Sequence, residues 1–272
     1  MQLVDFKVIS NEAIAKDVFR ISLAPMIDIP APVPGQFVNV QIDGHYLRRP
    51  ISVCDFSSDK GDLLQSNCGA DQSHDFGLLS SGEVLTLIYK VVGEGTKRMA
   101  EYAAGECLNI LLWLGNGYTL NEANRPVLIG GGVGVPPLYM LAKALVEAGQ
   151  KPTAILGFNR AEEVFYQEAF SKICDTIITT ADGSMGTKGF VTTALAGMTD
   201  YGALYTCGPE PMLKAVYEQA EPLPTGCAQF SFERRMGCGF GACMVCSCKT
   251  IAGYKRICQD GPILTKEEIL WT

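Results

Sequence analysis

Histidine is almost absent: the 272 residues contain two, His45 and His74. Neither lies in the C-terminal half, so a mixed histidine–cysteine metal site there has nothing to draw on. Positive charge is in deficit, with 22 Lys and Arg against 29 Asp and Glu and a net charge of −7. That argues against nucleic acid or an anionic membrane as the main partner, while leaving room for a local basic pocket for phosphates. No apolar run reaches the ~20 residues of a membrane span. The most apolar stretch, 126–146, is broken by Gly130, Gly131, Gly132, Gly134, Pro136, Pro137 and Lys143. Residues 1–10 alternate apolar and charged side chains and carry no signal-peptide core. The expectation is a soluble, cytoplasmic protein. Charged residues are only 19% and apolar ones 47%, which excludes wholesale disorder. The length suits two domains with a small third.

The first 120 residues read as β structure. Val4, Phe6 and Val8 alternate with polar neighbours, as do Phe19, Ile21 and Leu23, and Val38, Val40 and Ile42. Period-2 patterning marks half-buried strands. Pro25, Pro30, Pro32, Pro34 and Gly35 punctuate them, which suggests a small antiparallel barrel. Further strands are expected at 86–92 and 108–114. Between them, 96–104 reads as a short helix with Thr96 as its N-cap.

The pattern changes after a polar linker at 121–125. Strands at 127–129, 153–156, 177–180 and 203–206 alternate with helices at 136–147, 164–172, 191–195 and 212–220. Strand alternating with helix predicts a parallel α/β sheet. A cysteine-rich tail follows. The expected organisation is a β-barrel over 1–120, a parallel-sheet nucleotide-binding α/β domain over 121–224 and a small C-terminal domain over 225–272.

Eleven cysteines contrast with the scarce histidine, and five of them lie within 21 residues. An odd count without a signal peptide argues against a disulfide framework. The order Cys238-x4-Cys243-x2-Cys246-x11-Cys258 is the plant-type 2Fe–2S spacing. The small residues Gly239, Gly241 and Ala242 let the backbone fold tightly and aim N–H groups at the sulfurs. Structural zinc and a simple cluster of small buried hydrophobes are the alternatives. Cys248 is a spare, read as a packing cysteine that could substitute as a ligand.

Two further motifs bear on nucleotides. Gly130, Gly131, Gly132 and Gly134 follow a strand and open a helix, the context in which a glycine loop cradles a pyrophosphate. Pro137 stands where a dinucleotide fingerprint wants its third glycine, and a tight turn without ligand is the alternative. Thr206-Cys-Gly-Pro209 follows a later strand and places Cys207 at the carboxyl edge of the sheet, where open α/β sheets bind ligands. In the barrel, Arg48-Arg-Pro-Ile-Ser52 offers a guanidinium and a hydroxyl suited to a diphosphate. Gly93-Glu-Gly-Thr96 opens the short helix as a second anion site. A surface Arg and a capping Thr explain either motif alone. Together, ahead of a dinucleotide fold, they favour a flavin nucleotide.

In this order the three pieces resemble the ferredoxin-NADP reductase superfamily. The cysteine tail, Arg49-Pro-Ile-Ser52, Ile88-Tyr-Lys90, Gly95-Thr96, Gly130–Gly134, Cys207-Gly-Pro209 and Tyr254–Pro262 are similar to the electron-transfer subunits of dihydroorotate dehydrogenase B. The resemblance covers nearly the whole chain. It implies that Arg49, Pro50, Ile51, Ser52, Ile88, Tyr89, Lys90, Gly95 and Thr96 hold FAD. It implies that Gly130, Gly131, Gly132 and Gly134 contact NAD and that Cys207 lies near the nicotinamide–flavin contact. Cys238, Cys243, Cys246 and Cys258 would ligate the cluster. The implied partner is an FMN-containing catalytic subunit, in a heterotetramer with two of each. The cofactor preference rests on the family, because Asn159-Arg160 suits either nicotinamide cofactor. A related FAD/2Fe–2S subunit for a hydrogenase or a ferredoxin-linked transhydrogenase is the second reading, and a zinc-stabilised binding module the third. One departure is the stretch from 57 to 80, with Cys68 and His74, which looks longer than the family has between its FAD elements. Its centre, Asp71 to Asp75, has the polarity of a mobile loop.

Overall fold

The computed structural model describes residues 1–57 and 82–271. The expectation of a mobile loop around Asp71 to Asp75 therefore lies outside the described residues.

Six strands close an antiparallel barrel: β1 (Gln2–Ala15), β2 (Val18–Pro25), β3 (Phe37–Val40), β4 (Arg49–Ser57), β5 (Val84–Lys90) and β6 (Cys107–Leu114). Their order around the barrel is β1-β2-β5-β4-β3-β6. The alternation that marks the strands is the burial pattern: Val4, Phe6, Val8, Ile21, Leu23, Val38 and Val40 all fill the barrel core. β4 escapes a reading by alternation, because Pro50 breaks its pattern. Helix α1 (Glu94–Met99) follows β5, and its N-cap is Gly93 rather than Thr96. Thr96 sits one turn in, where its Oγ1 accepts from the amides of Val92 (2.9 Å) and Gly93 (3.2 Å). The hydroxyl reaches back to the cap, so the helix starts three residues earlier than a Thr N-cap would start it.

The second sheet contains β7 (Val127–Gly131), β8 (Thr153–Phe158), β9 (Asp175–Thr180), β10 (Thr187–Lys188), β11 (Leu204–Cys207) and β12 (Ala228–Ser231). Helices α2 (Pro136–Glu147), α3 (Gln167–Ser171), α4 (Val191–Leu195) and α5 (Glu210–Gln219) accompany it. A hairpin of β13 (Ser247–Thr250) and β14 (Gly253–Arg256), helix α6 (Ile257–Asp260) and β15 (Ile263–Thr265) follow. The sheet order is β10-β9-β8-β7-β11-β12-β15. All neighbours are parallel except β15, which runs against β12. α3 is shorter than the 164–172 expected, because Tyr166 adopts a left-handed φ of 61° immediately before it.

Two strands beyond residue 225, β12 and β15, thus extend the nucleotide-type sheet. The tail expected as a separate unit is anchored there at both ends. The cysteine loop and the β13–β14 hairpin lie between those anchors. One core links all the parts: Phe37, Leu111 and Leu114 of the barrel pack with Phe230, Ile257, Cys246 and Cys258. The barrel and the sheet are also joined by Lys143 of α2, whose Nζ donates to both carboxylate oxygens of Asp55 on β4 at 2.9 and 3.0 Å. Among the described residues no helix is long and apolar enough to cross a membrane.

Candidate electron-transfer site

Strand order reverses between β7 and β11, and the crevice outside such a switch point is where open α/β sheets bind ligands. Cys207 and Gly130 are register partners at this edge. The glycine run comes against the second loop: Gly134 approaches the Cys207 carbonyl and Gly208 so closely that a Cβ would overlap them.

The barrel brings its own motifs to the same place. The Arg49 guanidinium lies over Gly95, where any Cβ would overlap it. Two elements nearly fifty residues apart are therefore one surface. Arg49 also donates to the Leu47 carbonyl. Ser52 pairs with Phe37 across β3 and is half-buried. Ile51 packs partly against the barrel core. Of the second FAD element, Ile88 packs with Val135 and Leu138 of the nucleotide half. The Tyr89 ring turns into the barrel, stacks on Phe19 at 5.8 Å, and donates its hydroxyl to Asn11 at 2.9 Å. Tyr89 can thus offer a cofactor only its backbone. Lys90 is half-buried at the end of β5.

A cavity of about 900 Å³ lies between the barrel, the β11 loop and the segment leading to the cysteines. Arg49 and Pro50 line it from the barrel, Gly208 and Pro209 from the β11 loop, and Glu233 and Gly237 from the segment leading to the cysteines. That volume is within the range of sites that enclose a cofactor ring.

Beneath the rim lies a polar group that spacing could not reveal. Tyr118 is buried, donates to the Thr206 carbonyl at 3.1 Å and packs edge-on against Tyr205. The Ser231 side chain lies beside both its phenol and the Cys207 thiol and holds the pKa of each down. Burial pushes the Cys207 thiol up to about 12, Ser231 opposes the shift, and the Glu233 charge adds to it. Cys207 is therefore a neutral thiol at physiological pH, unsuited to nucleophilic work. Burial raises the Tyr118 phenol as well. Tyr118, Ser231 and Glu233 were not among the expected site residues. The nearest signal was the position of Glu233, five residues before Cys238.

At the carboxyl end of β8, Asn159 donates through Nδ2 to Glu163 at 2.8 Å. Asp182 after β9 accepts from the hydroxyl and amide of Ser184. These local bonds hold carboxylates beside Arg160 at the edge where a cofactor ribose would lie.

The cysteine loop satisfies the expectation of amides aimed at sulfur. Every one of the four sulfurs in the expected ligand set accepts a backbone N–H. Cys238 accepts from Phe240, Ala242 and Cys243 at 3.3–3.5 Å. Cys243 accepts from Cys238 at 3.4 Å, Cys258 from Gly241 at 3.0 Å, and Cys246 from Cys258 at 3.4 Å. Burial opposes ionisation at Cys238, but these amides outweigh it and lower its thiol below the ordinary value. Burial raises Cys258, with Cys246 adding to the shift. The bonds join the sulfurs as two pairs, Cys238 with Cys243 and Cys246 with Cys258. Among the described residues, no three His, Cys, Asp or Glu side chains are already grouped to hold a metal ion. Two thiolate pairs suit a two-iron unit, which takes two cysteines on each iron, better than one tetrahedral zinc. Cys248 packs instead on the adjoining core from β13. Arg256 clamps the loop, donating to the Gly241 carbonyl at 3.0 Å and pairing with Asp260 at 3.1 Å.

A barrel with a diphosphate motif, a nucleotide-type sheet and a sulfur-directed loop around one cavity define a class: the flavin-dependent pyridine-nucleotide reductases with an iron–sulfur tail. Comparison with known proteins narrows it. Residues 233–270 match the iron-sulfur cluster binding domain of dihydroorotate dehydrogenase B, and residues 128–218 match the oxidoreductase NAD-binding domain. The chain is 39% identical, over 99% of both sequences, to the dihydroorotate dehydrogenase B (NAD(+)) electron transfer subunit of Fusobacterium nucleatum. It is 38% identical to that of Geobacillus sp. WCH70, again over 99% of both. Among solved structures it is similar to the NADH-dependent reduced ferredoxin-NADP oxidoreductase, with a TM-score of 0.81 and 28% identity over 98% of this chain and 90% of that one. Phthalate dioxygenase reductase, at 17% identity and a TM-score of 0.66 over 92% of this chain and 87% of that one, shares the fold. The chain belongs to the family of dihydroorotate dehydrogenase B electron transfer subunits.

Proposed function

We propose that this chain carries electrons between a dihydroorotate-oxidising partner and NAD+ in pyrimidine biosynthesis, with FAD and a 2Fe–2S cluster as its resident carriers. The observation that carries the reading is the shared cavity, which brings the Arg49 motif, the Cys207 loop and the approach to the cluster cysteines together. A flavin exchanges electron pairs with a nicotinamide and single electrons with an iron–sulfur centre, so these groups together convert one currency into the other. The chain's own residues bind and orient. Arg49, over Gly95, would fix the diphosphate of FAD, and Pro50, Ile51, Ser52, the backbone of 88–90, Gly95 and Thr96 would complete the residues that hold this cofactor. Gly130, Gly131, Gly132 and Gly134 admit the nicotinamide cofactor's phosphates, and Cys207 shapes the nicotinamide contact as a neutral thiol. Cys238, Cys243, Cys246 and Cys258 hold the cluster.

The partner is an FMN-bearing catalytic subunit, two of each chain forming a heterotetramer in the cytoplasm. Phe240, Met244 and Val245 are 44%, 56% and 60% exposed around the cysteine loop, an apolar rim that supports docking close to the cluster. The test is anaerobic dihydroorotate-dependent reduction of NAD+ by the chain with its copurifying partner. Activity is expected with the partner and none without it. Turnover of dihydroorotate by the isolated chain would sink the proposal.

A second reading has one observation behind it: the structural likeness to the NADH-dependent reduced ferredoxin-NADP oxidoreductase extends over nearly the whole chain. In that case the complex would be inert to dihydroorotate, while NADH would still bleach flavin and cluster.

A further inference from the structure

The sheet sets the direction in which a dinucleotide lies. Its strands run in the order β9-β8-β7-β11, with the Arg49 cavity on the β11 side and the glycine run at the end of β7. A nicotinamide in the cavity and phosphates over the glycines put the adenosine end on the other side, over the carboxyl ends of β8 and β9. Neighbouring strands are about 4.8 Å apart, so that end lies roughly 5–10 Å from the glycine run.

The two strand ends there form one platform. The Ala181 amide donates to the Phe158 carbonyl at 3.0 Å, the Asp182 amide to that of Asn159 at 3.2 Å, and the Ala161 amide to the Ser184 hydroxyl at 2.8 Å. The acid that holds a cofactor ribose ordinarily closes the second strand of such a unit. Asn159 and Arg160 stand in that place, and the carboxylate comes from the third strand instead. Asp182 is exposed, and its Oδ1 accepts from the Ser184 amide at 2.9 Å and hydroxyl at 2.6 Å. Both bonds fall on one oxygen, and Oδ2 remains an acceptor. The Ser184 bonds first, and then the Arg160 charge, hold this carboxyl below its ordinary value, so it is ionised at neutral pH. Phe190 closes the same edge: the Gly189 amide before it donates to the Thr180 carbonyl at 2.9 Å, and Phe190 is 69% exposed.

We infer that Asp182 selects NAD+ over NADP+: its Oδ2 accepts from a hydroxyl of the adenosine ribose, and its charge repels a 2′-phosphate. This rests on the nucleotide site proposed above. Asp182 and Arg160 pull in opposite directions, since a guanidinium suits a phosphate and a carboxylate suits a hydroxyl. Asp182 prevails because Ser184 fixes it on a loop tied to β8, whereas Arg160 is exposed and makes no salt bridge among the described residues. Phe190 offers a stacking face to the base, which is common to both cofactors.

The test uses the full chain with FAD and cluster loaded, and two ligands that carry no nicotinamide: ADP-ribose and its 2′-phosphate, titrated calorimetrically. The wild type should bind ADP-ribose about tenfold tighter or more. Asp182→Asn keeps an acceptor for Ser184 and removes the charge, and should bring the two ligands within about threefold of each other. Adding Arg160→Met should abolish the gain for the phosphate. Phe190→Ala should weaken both ligands by a similar factor, roughly tenfold. FAD and iron content should be unchanged throughout, and NADPH should bleach the flavin of Asp182→Asn faster than that of the wild type. The wild-type preference needs no variant, so a misfolded Asp182→Asn does not remove the test. A wild type that binds both ligands equally, or a well-folded Asp182→Asn with the wild-type preference, overturns the inference. A chain that binds neither ligand removes the nucleotide site and this inference with it. A chain that prefers ADP-ribose whatever stands at 182 removes this inference alone.

Discussion

The guanidinium of Arg49 lies against the Cα of Gly95, in space that a single methyl group would fill. The planar, five-donor head is thereby held at the mouth of the cavity it shares with the Cys207 loop. Gly95→Ala should push it aside. A charge-assisted hydrogen bond contributes about 1.5–3 kcal/mol, so Arg49→Ala should weaken FAD binding roughly 10- to 100-fold. Arg49→Lys should recover only part of this, because an ammonium lacks the fork. Flavin release followed by fluorescence measures it. Iron content should not change, and a Gly95→Ala chain that keeps full FAD affinity would contradict the arrangement.

Much of this was legible beforehand, and the exceptions have a common cause. Val4, Phe6 and Val8 show their strand because side-chain direction alternates locally. The cysteine spacing shows its cluster because one loop must wrap it. Thr96 was misplaced as a cap, since a hydroxyl three residues into a helix and one at its start read alike. Tyr118 and Ser231 leave no local signal at all. Their importance comes from partners far along the chain: Thr206 for Tyr118 and Cys207 for Ser231. The anchoring of β12 and β15 in the nucleotide-type sheet was equally hidden, because pairing between distant strands is not written in either strand alone.

The two sulfur pairs predict an unequal cysteine series. Serine at Cys238, Cys243, Cys246 or Cys258 should abolish the 2Fe–2S signal, seen as lost iron, acid-labile sulfide and EPR intensity. Cys248→Ser should retain all three, because Cys248 faces the core beside β13 rather than the loop. A silent Cys258→Ser with a damaging Cys248→Ser would reassign the fourth ligand.

Cys207 should behave as a thiol across the physiological range. Its raised value of about 12 means that the thiolate forms only as pH approaches that value. At pH 8 roughly one molecule in ten thousand carries the anion, and alkylation requires the anion. Mass-spectrometric labelling with iodoacetamide should therefore show Cys207 modified slowly, its rate still climbing at pH 10. Ser231→Ala removes the hydroxyl that opposes the shift and should slow it further. A plateau near pH 8 would contradict the burial of this sulfur.

The bond from Lys143 to Asp55 ties the helix after the glycine run to the strand that carries Arg49. Its side chains are 30% and 17% exposed, so it is neither a solvated surface pair nor a fully buried one. Exposed pairs contribute under about 1 kcal/mol and hydrogen bonds to charged groups about 1.5–3, which puts the loss from Lys143→Met at roughly 1–2 kcal/mol. Each kcal/mol corresponds to about 2–4 °C in Tm for a chain near this size. Asp55→Asn should cost less than Lys143→Met, since the amide still accepts from the ammonium. The double variant should cost less than the sum, because both changes act on one bond. Differential scanning fluorimetry of the four proteins reads this directly. Additive losses would mean that the two side chains do not stabilise each other. Loosening here should also raise the KM for NADH in flavin bleaching, because α2 begins where the glycine loop ends and Lys143 fixes that helix to the barrel.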